Sequence, residues 1–407
     1  MKFIEGGVCA AQGFKAAGIH VGVKTKATWK KDLALIVSDV DCSASAVFTK
    51  NVVKAAPIHV DKKHLENGKA RAIIANSGNA NACAPNGEEN AIKMCQAVAK
   101  AVGCEPSDVL VSSTGVIGQT INVKVIEEGV PALYAELAAS PEGSAAAAQA
   151  IMTTDTTKKE IAVETEVGGK TVRMGGIAKG SGMIHPNMGT MLCFLTTDCA
   201  ISPEMIRTPL LETVNVSFNR ISVDGDTSTN YSCMVLVNGL AGNAEITEKG
   251  EDYDAFLEAL QALCITLAKE MASDGEGAKH LVTCTVTGAK DDASAEVIAK
   301  SVISSTLTKC AIFGADANWG RVLCAMGYSG ETFDPDGVDV HFTSAAGDIA
   351  VCEKGRGLPF DEELAKKILT EHDVEINITM SEGTGNCTCW GCDMTYEYVK
   401  INGDYRT

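Results

Sequence analysis

The stretch KGSGMIHPNMGTMLCFLTTD, residues 179–198, joins two kinds of sequence. Its first half is rich in glycine and carries Pro186, a combination typical of a loop. Its second half contains TMLCFL, residues 190–195, a short apolar run of strand length. The stretch therefore predicts a loop that leads into a buried strand, with the pair Gly189–Thr190 at the point of entry.

Patterns of strand and helix alternate on both sides of this stretch. Apolar, β-branched runs predict strands, and apolar residues at helical spacing predict helices. In the first two thirds of the chain we expect strands at 32–40, 70–78 and 108–113, helices at 89–103, 131–152 and 251–273, a glycine-bearing turn at 114–118, and a β-hairpin turning at Gly168–Gly169.

The last third predicts a second, mixed α/β domain. Strands are expected at 280–288, 338–344, 375–383 and 394–402, with helices near 293–308 and 361–371. A chain of 407 residues exceeds the usual size of a single core. We therefore predict a catalytic domain over residues 1–280 and a smaller domain over residues 281–407.

Composition excludes several classes of protein. The net charge of −17 repels phosphate backbones and anionic lipids, so nucleic acid is not an expected partner. The sequence has no apolar run long enough to cross a membrane and no export signal, so we expect a cytoplasmic protein.

The 16 cysteines are dispersed through a large chain, and reduced core cysteines are the expectation. Cys387, Cys389 and Cys392 lie close together, but a four-thiolate zinc site needs a second pair that the sequence does not supply. No metal site is predicted.

The catalytic residue is not marked by a histidine-based motif. The seven histidines are scattered, and His185 alone lies near the glycine-rich loop. A threonine at a new amino terminus needs no such partner, because its own α-amine, with a pKa of about 7.7–8.0, serves as base. Gly189–Thr190 permits this chemistry after chain cleavage, but a Gly-Thr pair before a buried strand is common, and spacing alone favours an uncut loop.

The run KGSGMIHPNMGTML resembles the self-cleavage motif of the ornithine acetyltransferase family, also called the arginine biosynthesis bifunctional proteins. The resemblance extends over nearly the whole chain and in order. The blocks that carry it include GFKAAGIHVGVK (13–24), NSGNANAC (76–83), SSTGVIG (112–118), TTDT (153–156), DGDTSTN (224–230), AIFGADANWGR (311–321) and WGCDMTYEYVKING (390–403).

The resemblance implies a layered α-β-β-α sandwich of the self-cleaving amino-terminal-nucleophile type, with a smaller α/β carboxy-terminal domain. Cleavage between Gly189 and Thr190 is expected to give an α chain of residues 1–189 and a β chain of residues 190–407. The two chains are expected to assemble as an α2β2 particle.

The resemblance also assigns roles to residues. Thr190 corresponds to the family's nucleophile, and Thr114 with Gly115 corresponds to its oxyanion hole. An acetyl group would pass from N2-acetyl-L-ornithine to L-glutamate through acetyl-Thr190, without a cofactor; some family members also use acetyl-CoA, and the sequence leaves this open. The implied substrate contacts are Thr153 or its neighbour Thr154, Lys179, Thr190, Glu276, Asn402 and Thr407.

Three positions depart from the family pattern: Gly189 stands where alanine is usual, Tyr231 where an acidic residue is common, and Ala317 where proline is frequent. Two alternatives also stay open at this point. One is an amino-terminal-nucleophile aminopeptidase or amidase, and the other is a non-catalytic or metal-binding protein with an uncut loop.

Overall fold

The computed structural model describes residues 1–27, 29–185 and 191–404. Three residues with a predicted role, Gly189, Thr190 and Thr407, lie outside this range. The chain divides into two compact units. The larger unit comprises Met1–Gly180, Pro186–Asn219 and Thr227–Leu267, and the smaller unit comprises Ser181–His185, Arg220–Asp226 and Ala268–Thr407.

Strands and helices alternate along the described residues. The strands are β1 (Lys2–Ile4), β2 (Phe14–Ile19), β3 (Leu33–Phe48), β4 (Lys69–Asn79), β5 (Val109–Val116), β6 (Lys159–Val167), β7 (Lys170–Lys179), β8 (Leu192–Thr197), β9 (Ile221–Ser222), β10 (Ser232–Val237), β11 (Leu281–Ala289), β12 (Asp339–Ser344), β13 (Gly347–Glu353), β14 (Arg356–Gly357), β15 (Asp373–Thr379) and β16 (Gly385–Cys392). The helices are α1 (Ala56–His64), α2 (Gly87–Val102), α3 (Val123–Ala135), α4 (Pro141–Ile151), α5 (Pro203–Val216), α6 (Glu251–Ser273), α7 (Asp292–Ser304), α8 (Thr306–Phe313), α9 (Trp319–Gly327), α10 (Glu362–Thr370) and α11 (Tyr396–Gly403).

A nine-stranded mixed sheet organises the described part of the larger unit, in the order β1-β6-β7-β8-β10-β3-β4-β5, with β2 paired to β3. Strand β3 is long enough to pair with β2 through its first half and with β10 through its second half. Helix α4 packs on one face of the sheet and helices α2 and α3 on the other. Because both faces are covered, strands β8 and β10 are buried at every position.

The smaller unit is built on a seven-stranded sheet among the described residues, in the order β14-β13-β12-β15-β11-β16-β9. Burial alternates along β11, β12 and β15, because one face of the sheet packs against helices α7 to α10. The α/β class, the two sheets and the smaller carboxy-terminal unit confirm the predicted fold class. The domain boundary at residues 280/281 stays a prediction.

Two predicted elements are wrong. The single helix expected over 131–152 is two helices, because Ser140 caps α4 by accepting from the N–H of Gly143 and Pro141 occupies its first turn. The strand expected over 394–402 is helix α11, whose first turn is capped by Thr395. No helix in the described ranges is long and apolar enough to cross a membrane.

Candidate functional site

The proposed oxyanion residues lie at the end of strand β5, where the sequence predicted a turn. Thr114 and Gly115 continue the parallel pairing with β4, which becomes irregular after Gly78. Gly115 has a φ of +132°, and a Cβ atom there would lie 2.4 Å from the carbonyl carbon of Gly78 and 2.6 Å from the nitrogen of Asn79. Only glycine fits this backbone conformation and this close approach.

A network of side-chain amides fixes these two strand ends. Asn76 donates to the carbonyl of Asn79 over 2.9 Å and accepts from the Ser113 hydroxyl over 2.6 Å. Asn230 donates to the carbonyls of Ala80 and Ser113 over 2.6 and 2.8 Å, which ties β4 and β5 to the segment before β10. Such a fully bonded buried network holds the Thr114 segment rigidly.

The Thr114 hydroxyl itself has no hydrogen-bond partner among the described residues, and its side chain is only partly buried. A hydroxyl on a rigid strand end that is not used by the protein is available to a ligand oxygen.

Lys179 and Thr153 form the second feature of the larger unit. Lys179 is the last residue of β7, and its side-chain ammonium donates to the Thr153 hydroxyl over 2.8 Å. Thr153 follows the end of helix α4, so the pair joins a strand end to a helix end. Lys179 is 7% exposed, which makes it a poor candidate for an ordinary solvated charge.

Asp155 holds this pair in place. Its carboxylate accepts from the backbone N–H groups of Thr153 (3.0 Å) and Gly180 (2.8 Å), and lies 3.9 Å from the Lys179 ammonium. Its second cation is Lys159, 2.8 Å away and 1% exposed. One carboxylate therefore positions the segments that carry Thr153 and Lys179, two of the predicted substrate contacts.

Burial, two lysines and a backbone N–H determine the ionisation of Asp155. Burial alone would raise the pKa of its carboxyl, but the Lys179 and Lys159 ammonium groups and the N–H of Thr153 together lower it below its ordinary value. The carboxylate of Asp155 is therefore charged at neutral pH.

The smaller unit brings together Glu276 and Asn402. The Asn402 amide donates to the Glu276 carboxylate over 2.7 Å and to the carbonyl of Tyr398 over 3.0 Å. Glu276 is 6% exposed, and its N–H donates to the carbonyl of Ser181. A Cβ atom on Gly182 would lie 2.4 Å from the Glu276 carboxyl carbon, so this glycine leaves room for the carboxylate.

Asp224 connects two segments of the smaller unit by hydrogen bonds. Its carboxylate accepts from the N–H groups of Met183 and Ile184 over 2.6 and 2.9 Å, and from the Tyr398 hydroxyl over 3.2 Å. Burial raises the pKa of the Asp224 carboxyl, while these N–H groups act against the rise. Asp224 therefore fixes the backbone of residues 183–184 by hydrogen bonds.

The sequence analysis predicts no role for several of these residues. Asp155, Lys159, Asn230 and Asp224 were not singled out, although three of them lie inside the family-like blocks TTDT and DGDTSTN. The signal was their place in those blocks, since a single Asp or Lys in a sequence is indistinguishable from a solvated surface charge. Thr153 carries the contact to Lys179, while the role of Thr154 stays open.

His185 and the three cysteines of the carboxy-terminal cluster contact other protein side chains. His185 Nδ1 lies 3.0 Å from Ser222 Oγ, and burial lowers the pKa of this histidine to about 4. Cys387 and Cys389 are neighbours on β16 with sulfur atoms 3.9 Å apart, and Cys392 Sγ lies 3.4 Å from the Lys309 ammonium. All sixteen cysteines lie in the described ranges and are unpaired.

Comparison with known proteins gives a consistent result. The model of the ArgJ family matches residues 15–407. The arginine biosynthesis bifunctional protein ArgJ of Symbiobacterium thermophilum is 48% identical over 100% of both chains. A solved ArgJ structure from Bacillus halodurans is 44% identical and covers 52% of this chain and 97% of its own, with a TM-score of 0.48. An ornithine acetyltransferase from Mycobacterium tuberculosis, solved with ornithine, is 36% identical and covers 47% of this chain and 99% of its own, with a TM-score of 0.42.

The class of protein follows from the sequence matches, which cover the whole chain: it is an acetyltransferase enzyme of arginine biosynthesis. The chain belongs to the ArgJ family. The aminopeptidase or amidase alternative is not favoured.

Proposed function

We propose that this protein transfers the acetyl group of N2-acetyl-L-ornithine to L-glutamate, with Thr190 as nucleophile after cleavage between Gly189 and Thr190. Family membership supports the reaction. The observation that carries the proposal for this chain is the Lys179–Thr153 pair, a buried ammonium that donates to a partly buried hydroxyl over 2.8 Å. This is the donor set that an amino-acid carboxylate requires.

The first step is self-cleavage. The Thr190 hydroxyl attacks the carbonyl carbon of Gly189, the peptide bond becomes an ester, and water hydrolyses the ester. The products are the α chain of residues 1–189 and a β chain that begins with the free α-amine of Thr190. That amine can then accept the proton of the Thr190 hydroxyl at neutral pH.

Acetyl transfer follows in two half-reactions. The Thr190 oxygen attacks the acetyl carbonyl of N-acetylornithine, the C–N bond breaks, and the ornithine amine leaves with the proton. The α-amine of glutamate then attacks acetyl-Thr190 and regenerates the hydroxyl. In both steps the Thr114 hydroxyl and the Gly115 N–H are proposed to bind the oxyanion, a contribution of about 3 kcal/mol for one donor in comparable enzymes.

The remaining contacts are assigned by charge. Lys179 and Thr153 are proposed to bind the α-carboxylate of the substrate. Glu276, whose carboxylate accepts from the Asn402 amide, is proposed to bind the ornithine ammonium. Thr407 is proposed as a further substrate contact.

The cofactor requirement, the assembly and the compartment are also part of the proposed function. The reaction as written balances without a cofactor, and acetyl-CoA is proposed only as an alternative acetyl donor. An α2β2 assembly is proposed from the family resemblance. Sixteen unpaired cysteines favour a reducing compartment, so we place the enzyme in the cytoplasm.

The decisive experiment compares wild type with Thr190→Ala by intact-mass analysis and by assay. Wild type should give two fragments that meet at Gly189/Thr190 and should convert N-acetylornithine and glutamate to ornithine and N-acetylglutamate with ping-pong kinetics. The variant should stay uncut and inactive. An uncut but active wild-type chain would exclude the Thr190 mechanism.

A second assay separates the two acetyl donors. Replacing N-acetylornithine by acetyl-CoA in the same reaction measures the additional activity directly. Thr190→Ala serves as its control, because turnover that survives in this variant does not pass through Thr190.

A further inference from the structure

Lys24 is a partly buried lysine whose charge no carboxylate in the described part of the chain neutralises at short range. Its ammonium donates to the carbonyls of Lys31 over 2.9 Å and Met152 over 2.8 Å. No carboxylate of the described residues lies within 4.0 Å of it. An ammonium has three donors, so one remains for a further acceptor.

The nearest acidic residue is already occupied. The buried Asp32 carboxylate accepts from the backbone N–H groups of Val21, Gly22 and Lys24 over 2.7, 3.2 and 2.9 Å, and lies 3.0 Å from the His20 ring. It therefore stabilises the backbone of the loop before β3. The ammonium of Lys24 instead contacts the carbonyls of Lys31 and Met152.

Lys24 lies beside both parts of the candidate site in the larger unit. Met152, which accepts from its ammonium, directly precedes Thr153. On the other side, a Cβ atom on Gly78 would lie 2.9 Å from Lys24 Cγ, and Gly78 is the strand partner of Gly115. The lysine side chain thus runs from the oxyanion strands to the substrate-binding segment.

The two substrates of the proposed reaction differ in side-chain charge. N-acetylornithine carries an ammonium, whereas glutamate carries a second carboxylate. A cation without a carboxylate partner attracts the glutamate side chain and repels that of ornithine. We propose that Lys24 binds the side-chain carboxylate of the acceptor glutamate, an inference that rests on the proposed acetyl transfer.

The ionisation of Lys24 agrees with this role. Burial lowers the pKa of its ammonium to about 8; Lys30 and Lys179 act in the same direction, while Asp32 and Asp155 act against it. The lysine is therefore mainly charged at pH 7 and becomes neutral above pH 8. A bound carboxylate would supply the missing counter-charge and raise this pKa.

The test uses Lys24→Met and two acceptors, glutamate and its neutral analogue glutamine. Wild type should show a higher kcat/KM for glutamate than for glutamine. In Lys24→Met this preference should fall at least tenfold, as expected for the loss of one charged hydrogen bond. The kcat/KM for N-acetylornithine should not fall, because removing the cation removes its repulsion of the ornithine ammonium. General damage lowers all three values together and leaves the preference unchanged, which would overturn the proposal.

Lys15→Met is the matched control. Lys15 is an exposed cation on β2 of the same unit, paired with Asp39 over 2.7 Å. Its loss removes the same net charge and should leave the preference for glutamate unchanged. An equal fall in both variants would mean that net charge, not a contact to Lys24, sets the preference.

A second variant and a pH series test the proposal independently of whether Lys24→Met folds. If Lys24→Met does not fold, Lys24→Gln removes the charge and keeps a donor for the two carbonyls, with the same expected loss. In wild type, the preference for glutamate over glutamine should fall as the pH rises from 7 to 9, and a constant preference would contradict the proposal. A wild-type chain without acetyl transfer would refute the proposed function instead.

Discussion

Asp155 and Lys159 form an ion pair of 2.8 Å between side chains that are 0% and 1% exposed. Removing Lys159 takes the nearer of two lysine ammonium groups from the buried Asp155 carboxylate. We expect Lys159→Met to lower the free energy of unfolding by about 3–5 kcal/mol. Urea unfolding followed by circular dichroism measures this change.

The neighbouring Lys158 provides the control. It pairs with Glu160, but its side chain is 39% exposed. Lys158→Met should therefore cost less than about 1 kcal/mol. Equal losses in the two variants would show that burial of the Asp155–Lys159 pair does not determine its contribution.

Thr153 and Thr154 are distinguished by one contact. Of these two described residues, Thr153 accepts a hydrogen bond from Lys179 and Thr154 does not, so Thr153→Val should remove one contact that positions this ammonium. We expect the KM for N-acetylornithine to rise about 10- to 100-fold, the range for loss of a charged hydrogen bond. Thr154→Val, with the same change in shape, should leave the KM within about twofold. The reverse order would assign the substrate contact to Thr154.

Gly115 is predicted to tolerate no side chain. Its Cβ would lie 2.4 Å from backbone, and its φ of +132° is unfavourable for other residues, so Gly115→Ala must displace β5 from β4. If Gly115 supplies an oxyanion donor, kcat should fall about 100- to 1000-fold. Initial rates at saturating substrate measure it.

Gly118→Ala separates backbone strain from this displacement. Gly118 also has a positive φ, +81°, but has open space around it. Its replacement should cost about 1 kcal/mol of stability and leave kcat nearly unchanged. A large loss of kcat in Gly118→Ala would mean that loop strain alone explains the effect at Gly115.

The sequence predicted correctly those strands and helices whose local residue pattern matches the element that forms in the fold. The hairpin at Gly168–Gly169 is an example, because both glycines have positive φ and join β6 to β7. The pattern at 394–402 failed because alternating aromatic and β-branched residues outweighed the capping signal of Thr395. The break at Ser140–Pro141 was readable from its cap and proline, but the alanine-rich composition concealed it.

The site was predictable only in part for a different reason. Local pattern and family resemblance indicate which residues bear chemistry, such as Lys179 and Glu276. They do not indicate which residues meet in space. The dependence of Lys179 on Asp155, and the position of Lys24 beside Met152, arise from tertiary packing between segments far apart in sequence.

His185 should make stability depend on pH. Burial lowers its pKa to about 4, and Lys300 acts in the same direction while Asp226 opposes it. An unfolded chain binds a proton on this histidine below pH 6.5, whereas the native chain does not until about pH 4. The native state should therefore lose stability as the pH falls from about 6.5 to 4, and should be unaffected by this group above 6.5.

His185→Gln tests this by removing the titrating group. The variant should lose less stability than wild type between pH 7 and pH 5, measured as the shift in urea midpoint. His341→Gln is the control, because this histidine is exposed on β12 and its side chain is 41% accessible. Its urea midpoint at pH 7 should lie close to that of wild type. If His185→Gln and wild type lose stability in parallel, the buried imidazole is not the group that responds to acid.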